Sequence, residues 1–424
     1  MIGNKPANRW LMVAMATLLM VCLGTVYAWS FFQTPIMKAF GWNNAQVSLA
    51  FSFAIFFLGV SAAVGGVLLP RVGPKKLAMG GSLLFSLGYA IAALALWSKS
   101  LPLLYLGYGV VGGIGLGLGY VTPVATIAKW FPDRKGLATG IVVMGFGFGA
   151  LLMSKVLAPA FLSLMGGSLV AVFLAFAVLF FILTMASSSF LGNPPSANPG
   201  AAQNAYSKAL SPAEAFREAK ADIFSLRFLM LWIMFFCNIS AGIAVVGFQS
   251  PMFQDLLSKS DQSLTAPELA AMGATLIAIT SLFNGFGRFF WGTVSDKFGR
   301  IRTYRFMLGS ELIIFILLVL TGQPILFAIL LCWVLLCYGG GFGTMPATVS
   351  ELFGPAKMTV IYGAVLTAWA AGGVVGPQIT AFIKDRMPEK ASTLSFLVGA
   401  GFVAAGLAMS LLLSSNGKRK EAEA

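Results

Sequence analysis

No histidine occurs anywhere in the 424 residues, which excludes a histidine proton relay and a histidine-ligated metal. Charge is scarce too: 10 % of residues are Asp, Glu, Lys or Arg, against 58 % hydrophobic. Soluble domains carry about a quarter charged residues, so a water-facing globule is excluded. Acids are the rarer sign, 14 against 28 Lys and Arg. No acid pair, metal set or activated serine stands at membrane depth, which argues against an embedded enzyme. Cys22, Cys237, Cys332 and Cys337 all fall inside apolar segments without metal-ligand spacing. They read as packing residues rather than disulfides, and no cofactor is expected.

What the chain does contain is long apolar runs. Roughly twelve segments, from 10–33 through 268–294 to 392–414, are long enough to cross a bilayer as helices. The first follows MIGNKPANRW and runs about 20 residues without a small-residue cleavage site, so it reads as a retained span and not a signal peptide. A net charge of +14 would suggest nucleic acid in a soluble protein. Here most basic residues fall on the even-numbered connections and the tails, the positive-inside pattern, which puts both termini in the cytoplasm and removes nucleic acid as a partner.

The chain also repeats itself. Gly66-Val-Leu-Leu-Pro70-Arg71-Val-Gly73 joins segments two and three, and Gly292-Thr-Val-Ser-Asp296-Lys297-Phe-Gly299 joins eight and nine. Thr122-Pro123 matches Met345-Pro346, and Gly140 with Gly149 matches Gly363 with Gly372. Such internal similarity is typical of transporters built from duplicated bundles. The division expected is 1–190, a linker over 191–226, and 227–424. The linker opens with GNPPSANPGAAQNAYSK and continues as SPAEAFREAKAD, where Ser211 can cap a short helix starting at Pro212.

One residue breaks the apolar rule. Arg288 lies in MGATLIAITSLFNGFGRFFWGTVSDKFGR, eight residues or roughly 12 Å inside the charged turn at Asp296 and Lys297. An arginine that deep costs about 2.5–3.5 kcal/mol on insertion scales. With no acid on the same helix turn, it calls for an anion. Ser281, Asn284, Arg288 and Ser295 recur at helical spacing and form one polar stripe. Arg288 as a carboxylate anchor and Asn284 as a hydrogen-bonding neighbour are one reading. Snorkelling of Arg288 and an interhelical tie through Asn284 are the other.

The glycine–x₃–Asp–basic–x–Gly–Arg loop at 292–300 resembles the signature of the major facilitator superfamily; the first copy departs from it at Pro70. Lys129-Trp-Phe-Pro-Asp-Arg134-Lys135-Gly136-Leu-Ala-Thr-Gly140, followed by Gly145, Gly147 and Gly149, is similar to the fifth-segment signature of the monocarboxylate transporters and oxalate/formate antiporters. The resemblance implies an all-α membrane protein of twelve transmembrane helices in two pseudo-symmetric six-helix bundles around a central cavity, working by alternating access. It puts Arg134 and Lys135 at the cytoplasmic mouth, and an anchoring arginine in segment eight belongs to both branches.

Departures from the family narrow the substrate. Oxalate/formate antiporters carry an embedded lysine in segment eleven, and the aligned position here is Trp369. One cation cannot neutralise two desolvated carboxylates, so a single carboxylate with an apolar remainder is expected. Animal monocarboxylate carriers have an aspartate one turn before the arginine, here Asn284, and a lysine in segment one, which the stretch Tyr27-Ala-Trp29-Ser-Phe31 does not offer.

Tyr27 and Trp29 on segment one, Tyr120 on four, Tyr338 on ten and Trp369 on eleven lie near mid-segment on helices that line the cavity in the family. The substrate-binding candidates are therefore Arg288, Asn284, Tyr120, Tyr27, Tyr338 and Trp369. Glu311 and Glu351 are read as gate or loop acids near the Asp296–Arg302 cluster, and Asp255 as a site of proton uptake. Gly107-Tyr-Gly109-Val-Val-Gly112 formally matches a dinucleotide fingerprint but lacks its strand and acid, so close helix packing is the reading.

The function expected is proton-coupled symport of a small monocarboxylate such as lactate or pyruvate, with no enzyme activity. Oxalate/formate-type antiport and a non-transporting membrane sensor are the alternatives. The partners are the monocarboxylate anion, a proton and the lipid bilayer. A monomer in the cytoplasmic (inner) membrane is expected, its prokaryotic setting suggested by the antiporter-like signature and short loops.

Overall fold

A chain crossing hydrocarbon must satisfy its backbone polar groups internally, and a helix does so within one segment. The computed structural model describes residues 8–131, 135–194, 212–354 and 357–413. Among them are twelve helices long and apolar enough to span a bilayer. They are α1 (Arg9–Phe40), α2 (Asn44–Leu69), α3 (Pro74–Trp97), α4 (Leu101–Ile127), α5 (Ala138–Leu164) and α6 (Leu169–Phe190). The second six are α7 (Leu226–Ser260), α8 (Ala266–Phe298), α9 (Arg300–Leu320), α10 (Pro324–Phe353), α11 (Val360–Arg386) and α12 (Pro388–Leu412). With an even number of crossings, α1 begins and α12 ends at one face, called here the terminal face.

Local chemistry sets the helix ends. Asn43 and Gln46 form a capping box at the start of α2, and Thr265 with Glu268 forms one at α8. The two repeated loops turn on equivalent glycines: Gly73 has φ of 81° and Gly299 of 88°. Both take a backbone region that side chains resist, and the next helix starts at the following residue, Pro74 or Arg300. The linker helix expected from Pro212 runs Pro212–Ile223; its proposed cap, Ser211, lies outside the described residues.

The packing repeats with a shift of six helices. α1 packs on α5 as α7 packs on α11, α2 on α4 as α8 on α10, and α3 on α6 as α9 on α12. Across the halves, α2 meets α11 as α8 meets α5. This is the major facilitator architecture of two pseudo-symmetric six-helix bundles. Glycines set the closest approaches: a Cβ on Gly147 of α5 would strike the backbone of Gly285 on α8. Without a side chain there, the two halves meet at backbone distance.

Four of the described spans depart from regular α-helix in their interior: α4 and α5 through wider π turns at Tyr105–Val111 and Met153–Leu157, and α1 and α11 near their centres. α1 tightens into a 3-10 turn at Thr25–Ala28 between the straight pieces Arg9–Gly24 and Trp29–Phe40. α11 breaks at Leu366 between Met358–Val365 and Thr367–Arg386. At the face opposite the termini the halves are joined by Asp385, whose carboxylate accepts from the Asn44 and Ala45 backbone N–H groups at 3.1 and 2.9 Å. Gln378 adds bonds to Ser48 at 2.9 Å and Ser52 at 3.3 Å.

Candidate functional site

Arg288 is 2 % exposed, and its surroundings are aromatic. The guanidinium carbon lies 4.7 Å from the ring centre of Phe342 and 5.5 Å from that of Phe146. Desolvated cation–π contacts of this kind are worth about 2 kcal/mol, which lets the charge persist at depth without an acid. Nη1 donates to the Tyr120 hydroxyl at 3.3 Å. Nε and Nη2 are buried without a hydrogen-bond partner. Those two atoms form one edge of the guanidinium fork, the geometry that takes a carboxylate with two parallel bonds. No carbonyl of a neighbouring helix accepts from that edge.

The breaks in α1 and α11 both fall beside this cation. Tyr27, in the 3-10 turn, shares a hydrogen bond of 2.8 Å with the Tyr338 hydroxyl, from helix to helix across the halves. Tyr27, Tyr120 and Tyr338 all lie within electrostatic reach of Arg288. Trp369, three residues past the α11 break, has its ring 5.3 Å from Tyr120 and 4.6 Å from Phe342. Phe146 sits at the middle, 5.1 Å from Tyr27 and 5.2 Å from Tyr120. Five of the six residues singled out from sequence therefore converge: Arg288, Tyr120, Tyr27, Tyr338 and Trp369.

The sixth, Asn284, is one turn away with its side-chain oxygen turned toward Gly339 of α10. The rest of the polar stripe faces elsewhere. Ser281 donates to the Gly147 carbonyl on α5, and Ser295 bonds Arg300. Trp29 also turns away, its ring tilted against that of Tyr108 with centres 4.5 Å apart, and donates to Gln33 at 3.0 Å. Phe146 and Phe342 escaped the sequence reading. Each is flanked by glycines, Gly145 and Gly147 or Gly341 and Gly343, a signal that a ring stands between two close helix contacts.

Of the acids, Glu351 lies 3.8 Å from Arg300, which also pairs with Asp296, so it joins the ion cluster at the terminal face. Glu311 does not. It is fully buried and takes a hydrogen bond from Asn238 at 3.1 Å, because eleven residues of helix carry it past the charged turn into the packed bundle. Asp255 pairs with Lys384 at the opposite face. Arg134 lies outside the described residues, as does the placement of the Lys135 side chain. Gly107, Gly109 and Gly112 pack against Ile91, Phe53 and Gly88, as close helix packing requires. Among the described residues no group of three His, Cys, Asp or Glu is placed to hold a metal ion.

A family model described as Major Facilitator Superfamily matches residues 14–377. The chain belongs to that superfamily. This transporter is 28 % identical over 391 residues to the oxalate:formate antiporter of Oxalobacter formigenes, covering 89 % of this chain and 85 % of that one. It is 28 % identical over 408 residues to the apicoplast pyruvate carrier 1 of Toxoplasma gondii, covering 83 % and 71 %. Its relatives thus fall in the monocarboxylate and oxalate/formate branch that the fifth-segment signature resembles. The fold matches the inward-facing, occupied crystal structure of a bacterial homologue of the human lysosomal transporter Spinster, with a TM-score of 0.68 at 18 % identity over 97 % of each chain.

Proposed function

We propose that this superfamily member is a secondary active transporter of short-chain monocarboxylates of the lactate and pyruvate type. It moves them with a proton by alternating access, and Arg288 anchors the carboxylate. The observation that carries this reading is the unpartnered Nε–Nη2 edge of a buried guanidinium held between two phenylalanine rings. Tyr120, Tyr27 and Tyr338 offer hydroxyls for the oxygen-rich end of the substrate, and Trp369 an apolar wall for the rest. Asn284 reaches the substrate only if its amide turns from Gly339. The printed names of two relatives, a pyruvate carrier and an oxalate:formate antiporter, support a small carboxylate as cargo. One carboxylate moved with one proton transfers no net charge against the membrane potential, which favours symport.

Anion exchange of the oxalate/formate type is the second reading, favoured by the antiporter relative and opposed for oxalate by the single embedded cation. The bundles are placed at 1–190 and 227–424 around the 191–226 linker, the monomer in the cytoplasmic membrane with both termini inside. The distribution of basic residues supports that orientation. Uptake of labelled L-lactate and pyruvate into proteoliposomes, with and without an inward proton gradient, tests the function. Gradient-driven accumulation lost in Arg288→Ala is the expected result. Flux only against a preloaded anion makes it an exchanger, and no flux of either acid removes the substrate assignment.

A further inference from the structure

Symport needs a group that carries the proton, and among the described residues the site around Arg288 contains no acid. One described carboxyl of the membrane interior is left without a role. Glu311, midway along α9, has 0 % exposure, although α9 is among the less buried spans. Its Oε2 accepts from Asn238 Nδ2 of α7 at 3.1 Å. Its Oε1 has no partner, and neither does Asn238 Oδ1. The two orphan oxygens belong to the same acid–amide pair, and both are acceptors when the acid is ionised. A proton on Oε1 turns one of these two unpaired acceptors into a donor.

The groups facing Glu311 from its neighbours are few. Asn238 comes from α7, and Cys337 of α10 lies within electrostatic range of the carboxyl. α12, which packs along α9, has its titratable residues, Glu389 and Lys390, at its first turn, and none from Ala391 to Leu412. Tyr304, on α9 itself, donates its hydroxyl proton to the Gly341 carbonyl of α10 at 2.5 Å. Arg288 stands on the far side of α10, with no ion pair to Glu311. A lone carboxylate buried without a cation is held at a high cost, so ionisation there requires a change in its surroundings.

α10 connects this pair to the substrate site. Its glycines remove the side chains that would separate them. A Cβ on Gly341 would strike Asn238 Oδ1, and a Cβ on Gly343 would strike the Arg288 carbonyl. The next residue round, Phe342, carries the ring under the guanidinium. A change in the acid–amide pair therefore presses on the helix that positions Arg288.

We propose that Glu311 is the proton-binding site of the transport cycle: its Oε1 takes a proton from water at one face and returns it to water at the other, with Asn238 as the partner and α10 as the link to Arg288. This rests on the proton-symport reading. Gln at position 311 keeps the amide partner and imitates the protonated acid, so the variant separates coupling from folding.

The test compares wild type and Glu311→Gln in proteoliposomes, using pyruvate counterflow and proton-driven pyruvate accumulation. In parallel, the infrared carbonyl band of protonated carboxylic acids is followed against pH in the purified proteins. The expected result is counterflow without accumulation in the variant, and a titrating band in wild type that the variant lacks. Accumulation by Glu311→Gln at the wild-type level overturns the proposal. Should wild type exchange pyruvate without accumulating it, the symport reading fails. Glu311 then stands as a proton site only if the band differs between the two proteins; identical spectra overturn it. If Glu311→Gln does not purify, Asn238→Leu replaces it in the infrared arm: a shifted titration midpoint is expected, and an unchanged one overturns the proposal.

Discussion

The hydroxyl of Tyr120, in the first half of the chain, accepts a hydrogen bond of 3.3 Å from Nη1 of Arg288, in the second half. That bond joins the two halves of the chain, and it orients the guanidinium so that its Nε–Nη2 edge stays available. Tyr120→Phe keeps the ring and removes only the acceptor. A hydrogen bond to a charged group contributes about 1.5 kcal/mol or more, so pyruvate KM is expected to rise about tenfold with the melting temperature little changed. Equal loss of stability and affinity would mean the bond serves packing alone.

Arg288→Lys keeps the charge and loses the fork. A bidentate charge-assisted pair exceeds a point-charge contact by about 2–3 kcal/mol, roughly 30- to 150-fold in affinity. Calorimetric titration of purified protein with pyruvate reads this directly. Wild-type affinity in the lysine variant would place the carboxylate elsewhere.

Asp385 caps the first turn of α2 from the opposite half, accepting from Asn44 N, Asn44 Nδ2 and Ala45 N. Losing a helix cap costs about 0.5–2 kcal/mol. Here that loss falls on the state closed at the face opposite the termini, so Asp385→Ala is expected to favour opening there by roughly 2- to 30-fold. In a background without native cysteines, Ser48→Cys reports on that opening through its rate of thiol labelling. An unchanged rate would show that the remaining Gln378–Ser52 bond and the apolar contacts hold the face shut without Asp385.

Gly343→Ala puts a methyl group against the Arg288 backbone. Overpacking of this kind costs about 1–3 kcal/mol. The melting temperature should fall by several degrees and pyruvate transport should drop more than for an alanine at Gly309, which meets nothing within 4 Å. Similar effects at both positions would remove the special status of the α8–α10 contact.

The sequence made the spans legible because hydropathy is a property of each helix alone. Segment 268–294 stands inside α8, Ala266–Phe298. The expected ends went astray where polar residues sit on helical turns. Gln33, Pro35 and Lys38 cut the first segment short of Phe40, and Arg300 and Arg302 hid the first turn of α9. Tyr27 and Trp29 looked equivalent along the chain. Two residues apart on a helix they point about 200° from one another, so one faces Tyr338 and the other Tyr108.

From sequence alone came the membrane setting, the twofold plan and the embedded arginine, since each follows from local composition, spacing or repeat. Only the tertiary structure decided which edge of Arg288 is free, that Phe146 and Phe342 enclose it, and that Glu311 is sealed against Asn238. Those facts depend on where glycines let distant helices touch. Residues more than fifty positions apart become neighbours there, and no periodicity within one helix encodes which face it will find opposite.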